Sequence, residues 1–242
     1  MSNLENVFSS FQVRDGEQAL WDKLCSMSGS NYGITSVLYG FAHSKYVEFR
    51  GGLTKCLYLK HNHPSDYINY VGEDTFLDND ECADAIIKHA KPFLWADNLE
   101  NATEAQRRQA LVDHEFRMDV GVSFSLPFFG GAGMGGLGMC ARGMKATEFE
   151  KIWNEKSREM CALVAAFDAC MRPVMISNRL RLTPRERDVI AYAAAGMGGK
   201  EIATRLGLHP KTVFNTMERA RHSLQANNTM EAIAKAYVYN LI

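Results

Sequence analysis

Lys211, Asn215, Glu218, Arg219 and His222 are spaced so that, on a helix turning about 100° per residue, they share one face. Together they offer cations for phosphate oxygens, and an amide, a carboxylate and an imidazole for base edges in a major groove. Val213, Met217, Ala220 and Leu224 recur on the opposite side as an apolar stripe. A solvated face on an ordinary amphipathic helix has the same pattern, so the residues upstream decide the reading.

Those residues spell out a helix, a turn and a second helix. Thr183-Pro184-Arg185-Glu186 has the form of a capping box: the Thr183 side chain accepts from the Glu186 amide, Glu186 reaches back to Thr183, and Pro184 occupies the first helical position. The helix that begins there should stop near Ala195, with Gly196 supplying a left-handed residue. Lys200 to Leu206 reads as a short helix with Ile202, Ala203 and Leu206 on one side. Gly207, Leu208 and His209 form the turn, and Pro210 restarts a helix. This order predicts a helix-turn-helix, and hence DNA as a partner.

With those residues in place, 182–242 resembles the DNA-binding domain of LuxR-type transcription regulators. The resemblance is carried by Leu182, Thr183, Glu186, Ile190, Gly196, Glu201-Ile202-Ala203 and Thr212-Val213, and continues through Ala226-Asn227-Asn228 and Glu231-Ala232-Ile233. It implies phosphate contacts for Lys200 and Thr212, base contacts for Lys211, Asn215 and Arg219, and architectural roles for Glu186, Ile190 and Gly196. His209, Thr216, Ser223 and Thr229 depart from the serine, histidine, lysine and arginine usual in the family. One short recognition helix reads few bases, so a homodimer on a palindromic operator is expected. Met230, Ile233, Ala234, Tyr237 and Leu241 form a stripe suited to pairing two DNA modules. RNA polymerase is a further partner that such a regulator implies.

The whole chain sets the limits. Its 242 residues have room for two domains, and 46% hydrophobic with 23% charged residues is ordinary globular composition. The net charge of −1 is unevenly spread: residues 182–242 carry eight Lys/Arg against five Asp/Glu, and residues 1–181 carry 19 against 23. The basic excess therefore belongs to the DNA module. No apolar run approaches 18 residues and the N-terminus lacks a basic segment followed by an apolar one, so a cytoplasmic protein without a membrane partner is expected. Cys25, Cys56, Cys82, Cys140, Cys161 and Cys170 never form C-x-x-C and read as reduced, buried thiols. His61-x-His63 lacks accompanying metal ligands nearby and reads as a surface loop, so no metal and no cofactor are assigned.

In the N-terminal part, periodicity predicts helices over 16–27, 65–70, 80–89 and 103–116, strands over 34–42, 53–59, 120–128 and 137–142, and a long helix from Thr147 to about Met171. Phe149, Trp153, Met160, Val164 and Phe167 form a stripe along that last helix. The expected architecture is an α+β sandwich, α/β/α with an antiparallel sheet flanked by helices, over residues 1–171. A linker over 172–181 and an all-α four-helix helix-turn-helix domain over 182–242 complete it. A receiver domain is excluded, since the acidic pair, phosphoacceptor and βαβ alternation it needs are missing.

This order resembles the LuxR-family autoinducer-binding domain. The family pocket for N-acyl homoserine lactones uses a tryptophan donor to the lactone carbonyl, a tyrosine donor to the acyl carbonyl, an aspartate accepting from the amide and a second tryptophan packing on the ring. The resemblance places Tyr67, Val71, Asp80 and Trp95 at those positions, and Gly121 at a glycine that makes room in the pocket floor. Val71 has no donor and Glu81 stands where a proline usually follows the aspartate. Tyr70, Ser123 or Ser125 could replace the lost donor. Asp80 also reads as a helix cap, and Tyr67 and Trp95 as ordinary core.

Gly131-Ala132-Gly133-Met134-Gly135-Gly136 satisfies G-x-G-x-x-G, which raises a nucleotide-binding enzyme as an alternative. The next residues, from Leu137 on, read as a strand rather than the required helix, so a hairpin connection is favoured, and no nucleophile elbow or triad is legible. The expectation is a non-enzymatic regulator of the quorum-sensing type, responsive to an N-acyl homoserine lactone or a related small apolar signal. A regulator of the same fold that is ligand-independent or controlled by a protein partner is the alternative.

Overall fold

The computed structural model describes residues 9–42, 58–73, 77, 80, 82, 85–86, 91–95, 102–127 and 134–242. They divide into two compact units, 1–174 and 175–242.

The first unit is built on one antiparallel sheet of five strands: β1 (Ser36–Ala42), β2 (Tyr58–His61), β3 (Phe93–Leu94), β4 (Gly121–Ser125) and β5 (Met134–Cys140), in the order β2-β1-β5-β4-β3. Alternation sorts the side chains of each strand to two faces. One face presents Val37, Tyr39, Phe41, Val122, Phe124, Leu137 and Met139, all buried. Helices α1 (Gly16–Tyr32) and α4 (Ala146–Arg179) cover it, with Phe167 of α4 against Tyr39 of β1 at 5.0 Å and against Trp21 of α1 at 6.4 Å. By composition α4 is long and apolar enough to cross a membrane, yet its Phe149, Met160, Leu163, Phe167 and Met171 are buried in the core of the protein.

Apart from Leu38 on β1, the opposite face of the three central strands carries small residues: Ser36 and Gly40 on β1, Gly121, Ser123 and Ser125 on β4, and Gly136, Gly138 and Cys140 on β5. Helices α2 (Ser65–Val71) and α3 (Glu104–Glu115) lie on that side, where Tyr67 of α2 and Met118 cluster with Cys140, packed by Val112, Phe116 and Trp95.

A buried network ties the β4–β5 hairpin to α4. Arg172 donates to both Asp168 carboxylate oxygens at 2.6 and 2.7 Å and to the Leu126 carbonyl oxygen at 3.0 Å, while the Tyr39 hydroxyl donates to Asp168 at 2.7 Å. Helix α4 continues through Pro173 to Arg179, so most of the 172–181 segment expected as a linker is helical. Pro173 sits beside the Asp168–Arg172 pair, which bridges one turn of the same helix.

The second unit is helical: α5 (Pro184–Ala194), α6 (Gly199–Leu206), α7 (Pro210–Ser223) and α8 (Thr229–Val238). The Thr183 capping box forms as its residues require, with Glu186 N donating to Thr183 Oγ1 at 3.3 Å and Thr183 N donating to Glu186 Oε2 at 2.9 Å. Gly196 and Gly207 take φ of +87° and +63°, which releases the chain from α5 and α6. Val189, Ile202, Ala203 and Val213 make the core that joins α5, α6 and α7.

Residues 131–133 of the glycine motif lie outside the described residues, as do Cys56, Glu81 and much of the predicted 53–59 strand and 80–89 helix. The motif leads into strand β5, paired with β1 and β4, and not into a helix whose N-terminus could hold a pyrophosphate. Strand β3 has no counterpart in the periodicity, because two residues at a sheet edge are too short to show alternation.

Candidate functional site

The small-residue face of the sheet is roofed by Trp95. β3 pairs Phe93 with Ser123 and Leu94 with Val122, which brings the indole over β4. Its Nε1 donates to Ser123 Oγ at 2.9 Å. A Cβ on Gly121 would stand 2.8 Å from two Trp95 ring atoms and would collide with the Met139 carbonyl oxygen, so glycine is what lets the ring approach. Gly138 lies under the same ring, and a Cβ on Gly136 would meet Ile86 at 2.8 Å.

Tyr67 is buried with its ring edge-on to Phe116 and to His63. Its hydroxyl donates to Asp113 Oδ1 at 2.8 Å, and Gln109 Nε2 donates to the same carboxylate at 2.8 Å and to the Tyr67 oxygen at 3.3 Å. Burial is the main cause that holds the Tyr67 and Asp113 pKa values above their usual ranges, which keeps the tyrosine a neutral donor. Val71 packs in the cluster of Tyr67 and Trp95 and also against Leu77, on which Leu38 and Leu59 pack as well. Asp80 Oδ1 accepts from the Cys82 backbone N–H at 2.7 Å, the cap geometry that its alternative reading expects. The fold thus gathers Tyr67, Val71, Trp95, Gly121 and Ser123 on one side of the sheet. Tyr70 is not among them: it is 64% exposed and rests against Phe116.

His63, read from sequence as part of a surface loop, is half-buried instead. Its Nδ1 bonds Ser36 Oγ and its ring stacks on His61 at 5.0 Å, while His61 Nε2 bonds Glu73 at 2.9 Å. Burial first, and His61 second, push its pKa down to about 3, so the ring is a neutral imidazole. His63, Gln109 and Asp113 are the residues near this site that sequence reasoning passed over. The Gln109–Asp113 spacing of four on a helix was the available signal for two of them. Among the described residues no cluster of His, Cys, Asp or Glu could hold a metal ion. The cysteines other than Cys56 are free thiols, and burial raises Cys25 to about 11 and Cys140 to about 12, which suppresses their thiolates.

In the second unit, Lys200, Lys211, Thr212, Asn215, Glu218, Arg219 and His222 are all exposed, while Val213, Thr216 and Ala220 of the same helix α7 are buried. The His209 imidazole caps α7, accepting from Lys211 N at 3.2 Å, and so takes the place of the usual serine. Thr216, buried where the family commonly has histidine, donates to the Thr212 carbonyl oxygen at 2.8 Å and accepts from Arg219 at 3.3 Å. Glu218 pairs with Arg221 at 2.7 Å.

An antiparallel sheet with a small-residue face under an aromatic roof, followed in the chain by a helix-turn-helix with a polar, cationic recognition face, is an organisation met in signal-responsive transcription regulators. Family models agree: an autoinducer binding domain matches residues 16–171, and that of the bacterial regulatory proteins of the luxR family matches residues 180–236. The chain belongs to the LuxR-type regulators with an autoinducer-binding domain, a quorum-sensing type of DNA-binding transcription regulator and not an enzyme. Among solved structures, SdiA of Escherichia coli is similar in fold, with a TM-score of 0.62 at 16% identity over 97% of this chain and 94% of that one. SdiA in complex with octanoyl-rac-glycerol gives 0.64 at 14% identity, covering 98% of this chain and 93% of that one. CepR2 from Burkholderia cenocepacia, an N-acylhomoserine lactone dependent LuxR family transcription factor, gives 0.53 at 16% identity, covering 72% of this chain and 96% of that one. No curated protein sequence matches the chain.

Proposed function

We propose that the protein binds a small, largely apolar signal against the glycine- and serine-lined face of its sheet, and that this binding governs a homodimer that reads a palindromic operator through α7. The observation that carries the ligand reading is Trp95 held over Gly121, Gly138 and Ser123: the strands give up side-chain volume where an aromatic roof stands above them. The signal is an N-acyl homoserine lactone or a related acyl compound, and the octanoyl-rac-glycerol complex of SdiA is a precedent for an acyl chain without a lactone. Asp80, Tyr67 and Ser123 supply its polar contacts, with Val71 and Trp95 as apolar wall, and Tyr70 stands outside.

Because Val71 cannot donate, a ligand amide or carbonyl left unsatisfied there loses about 1–3 kcal/mol, which favours signals that differ from a simple lactone. DNA contact falls to Lys200 and Thr212 on phosphates and to Lys211, Asn215 and Arg219 on bases. Glu218 and His222 flank them, and Glu218 is able to accept from a cytosine amino group. Met230, Ile233, Ala234, Tyr237 and Leu241 pair the DNA units, RNA polymerase is the partner through which transcription changes, and the cytoplasm is the place of action.

A second reading, in which the fold needs no ligand or answers to a protein partner, draws on the internal satisfaction of Tyr67 by Asp113 and of Trp95 by Ser123. Mass spectrometry of a solvent extract of full-length protein from its native cells separates the two. A stoichiometric acyl compound, and a thermal shift with N-acyl homoserine lactones or octanoyl glycerol, is expected. Absence of both supports the second reading. For DNA, Lys211→Ala and Asn215→Ala should each weaken operator binding with the fold intact, and unchanged binding in both would remove α7 as the reading helix.

A further inference from the structure

Phe214 is 59% exposed on α7, one residue before Asn215, and the core packing of the unit does not use its ring. Successive steps of about 100° place it beside Lys211 and Glu218, at one edge of the polar face and away from buried Val213, Thr216 and Ala220. Lys211 Nζ stands 5.5 Å from the centroid of the ring. An exposed apolar ring beside a cation at the edge of the polar face of a recognition helix is suited to the part of DNA that is itself apolar. In the major groove that group is the C5-methyl of thymine.

We infer that Phe214 is a specificity-determining residue that selects thymine by packing its ring on the C5-methyl group, with Lys211 above the ring reaching the adjacent phosphate or guanine. The inference rests on α7 being the reading helix. It adds a residue to the polar set and a base preference that those residues do not dictate. The ring's location favours DNA over a protein partner: it borders the polar face on the side of Lys211 and Glu218 and lies on a different helix from the exposed Met230 and Tyr237. Burying one methyl group against the ring is worth about fourfold in affinity.

The test uses full-length protein and duplexes selected from a random pool. Deoxyuridine then replaces each thymine of the selected half-site in turn, which removes the methyl group and keeps every hydrogen bond. Wild-type binding should fall about fourfold at one thymine per half-site. Phe214→Ala should bind the unmodified site about as weakly as wild type binds the deoxyuridine site, with no further loss on combining them. Phe214→Leu, which keeps an apolar side chain, should retain part of the sensitivity. Wild-type indifference to deoxyuridine at every position overturns the inference, as does a selected half-site without thymine or a Phe214→Ala protein that keeps the full penalty. So does intact DNA binding by Phe214→Ala with loss of transcriptional output, which assigns the ring to a protein surface. Lys211→Ala and Asn215→Ala distinguish the failures. If they also leave binding unchanged, the reading of α7 fails; if they weaken it while Phe214 and the methyl groups prove silent, only the thymine contact falls.

Discussion

Gly121 leaves no room for a methyl group, since a Cβ would meet the Met139 carbonyl oxygen on one side and the Trp95 ring on the other. Gly121→Ala should therefore destabilise the N-terminal unit by about 1–3 kcal/mol and displace the indole, read as a lower denaturant midpoint and a shifted tryptophan emission. An unchanged midpoint would show that Trp95 does not depend on the glycine. For His63 the pH dependence has a definite sign. Its pKa is pushed from 6.5 to about 3, so between these values the unfolded chain binds a proton that the folded chain refuses. Stability from this group is complete above about pH 6.5 and declines as pH falls toward 3, by at most about 1.4 kcal/mol per pH unit for one proton. The neighbours that bear on it are His61 with its partner Glu73, Ser36, and Tyr67 with its partner Asp113. His63→Gln should flatten this slope between pH 7 and 4. A stability difference from wild type that stays constant over that range would assign the slope to other groups.

Within the elements, the DNA unit depends on its caps. Thr183 and Glu186 satisfy two otherwise unpaired amides at the start of α5, and Glu186 is only 6% exposed. Thr183→Ala should lower the stability of the C-terminal unit by about 1 kcal/mol, seen in thermal unfolding followed by a probe in that unit. An unaltered transition would mean that α5 is held by packing alone. These signals are legible in the sequence because a capping box joins residues three apart and a left-handed glycine acts on its own turn. Helix α4 shows where local reading stops. Pro173 and the polar pair Ser177-Asn178 suggest a linker, and the division between the two units falls at 174/175, but the local signals do not show that the segment stays helical to Arg179. The residue before the proline makes a contact remote in sequence that no local pattern shows: Arg172, paired with Asp168 on the same helix, also donates to the Leu126 carbonyl oxygen beyond β4.

Across the whole molecule, the proposed dimer places an exposed stripe of α8 at an interface, with Met230 at 74% and Tyr237 at 60% exposure. Tyr237→Glu should shift full-length protein toward monomer in sedimentation and weaken operator binding by more than tenfold at a protein concentration that saturates the wild type, since one half-site alone supplies about half the contacts. A variant that remains dimeric and binds normally would exclude this surface. The sequence by itself determined the helix-turn-helix, its polar face, the basic balance of its last 61 residues and the likeness of both units to one family. Caps, turn glycines and helical period are read from residues within a few positions of one another. Only the tertiary structure decided the partners at the candidate pocket. Tyr67 meets Asp113 across 46 positions, Trp95 meets Ser123 across 28 and Ser36 meets His63 across 27. Such pairs depend on strand order and register, which bring remote residues to one face of the sheet, and no local pattern encodes which remote residue arrives.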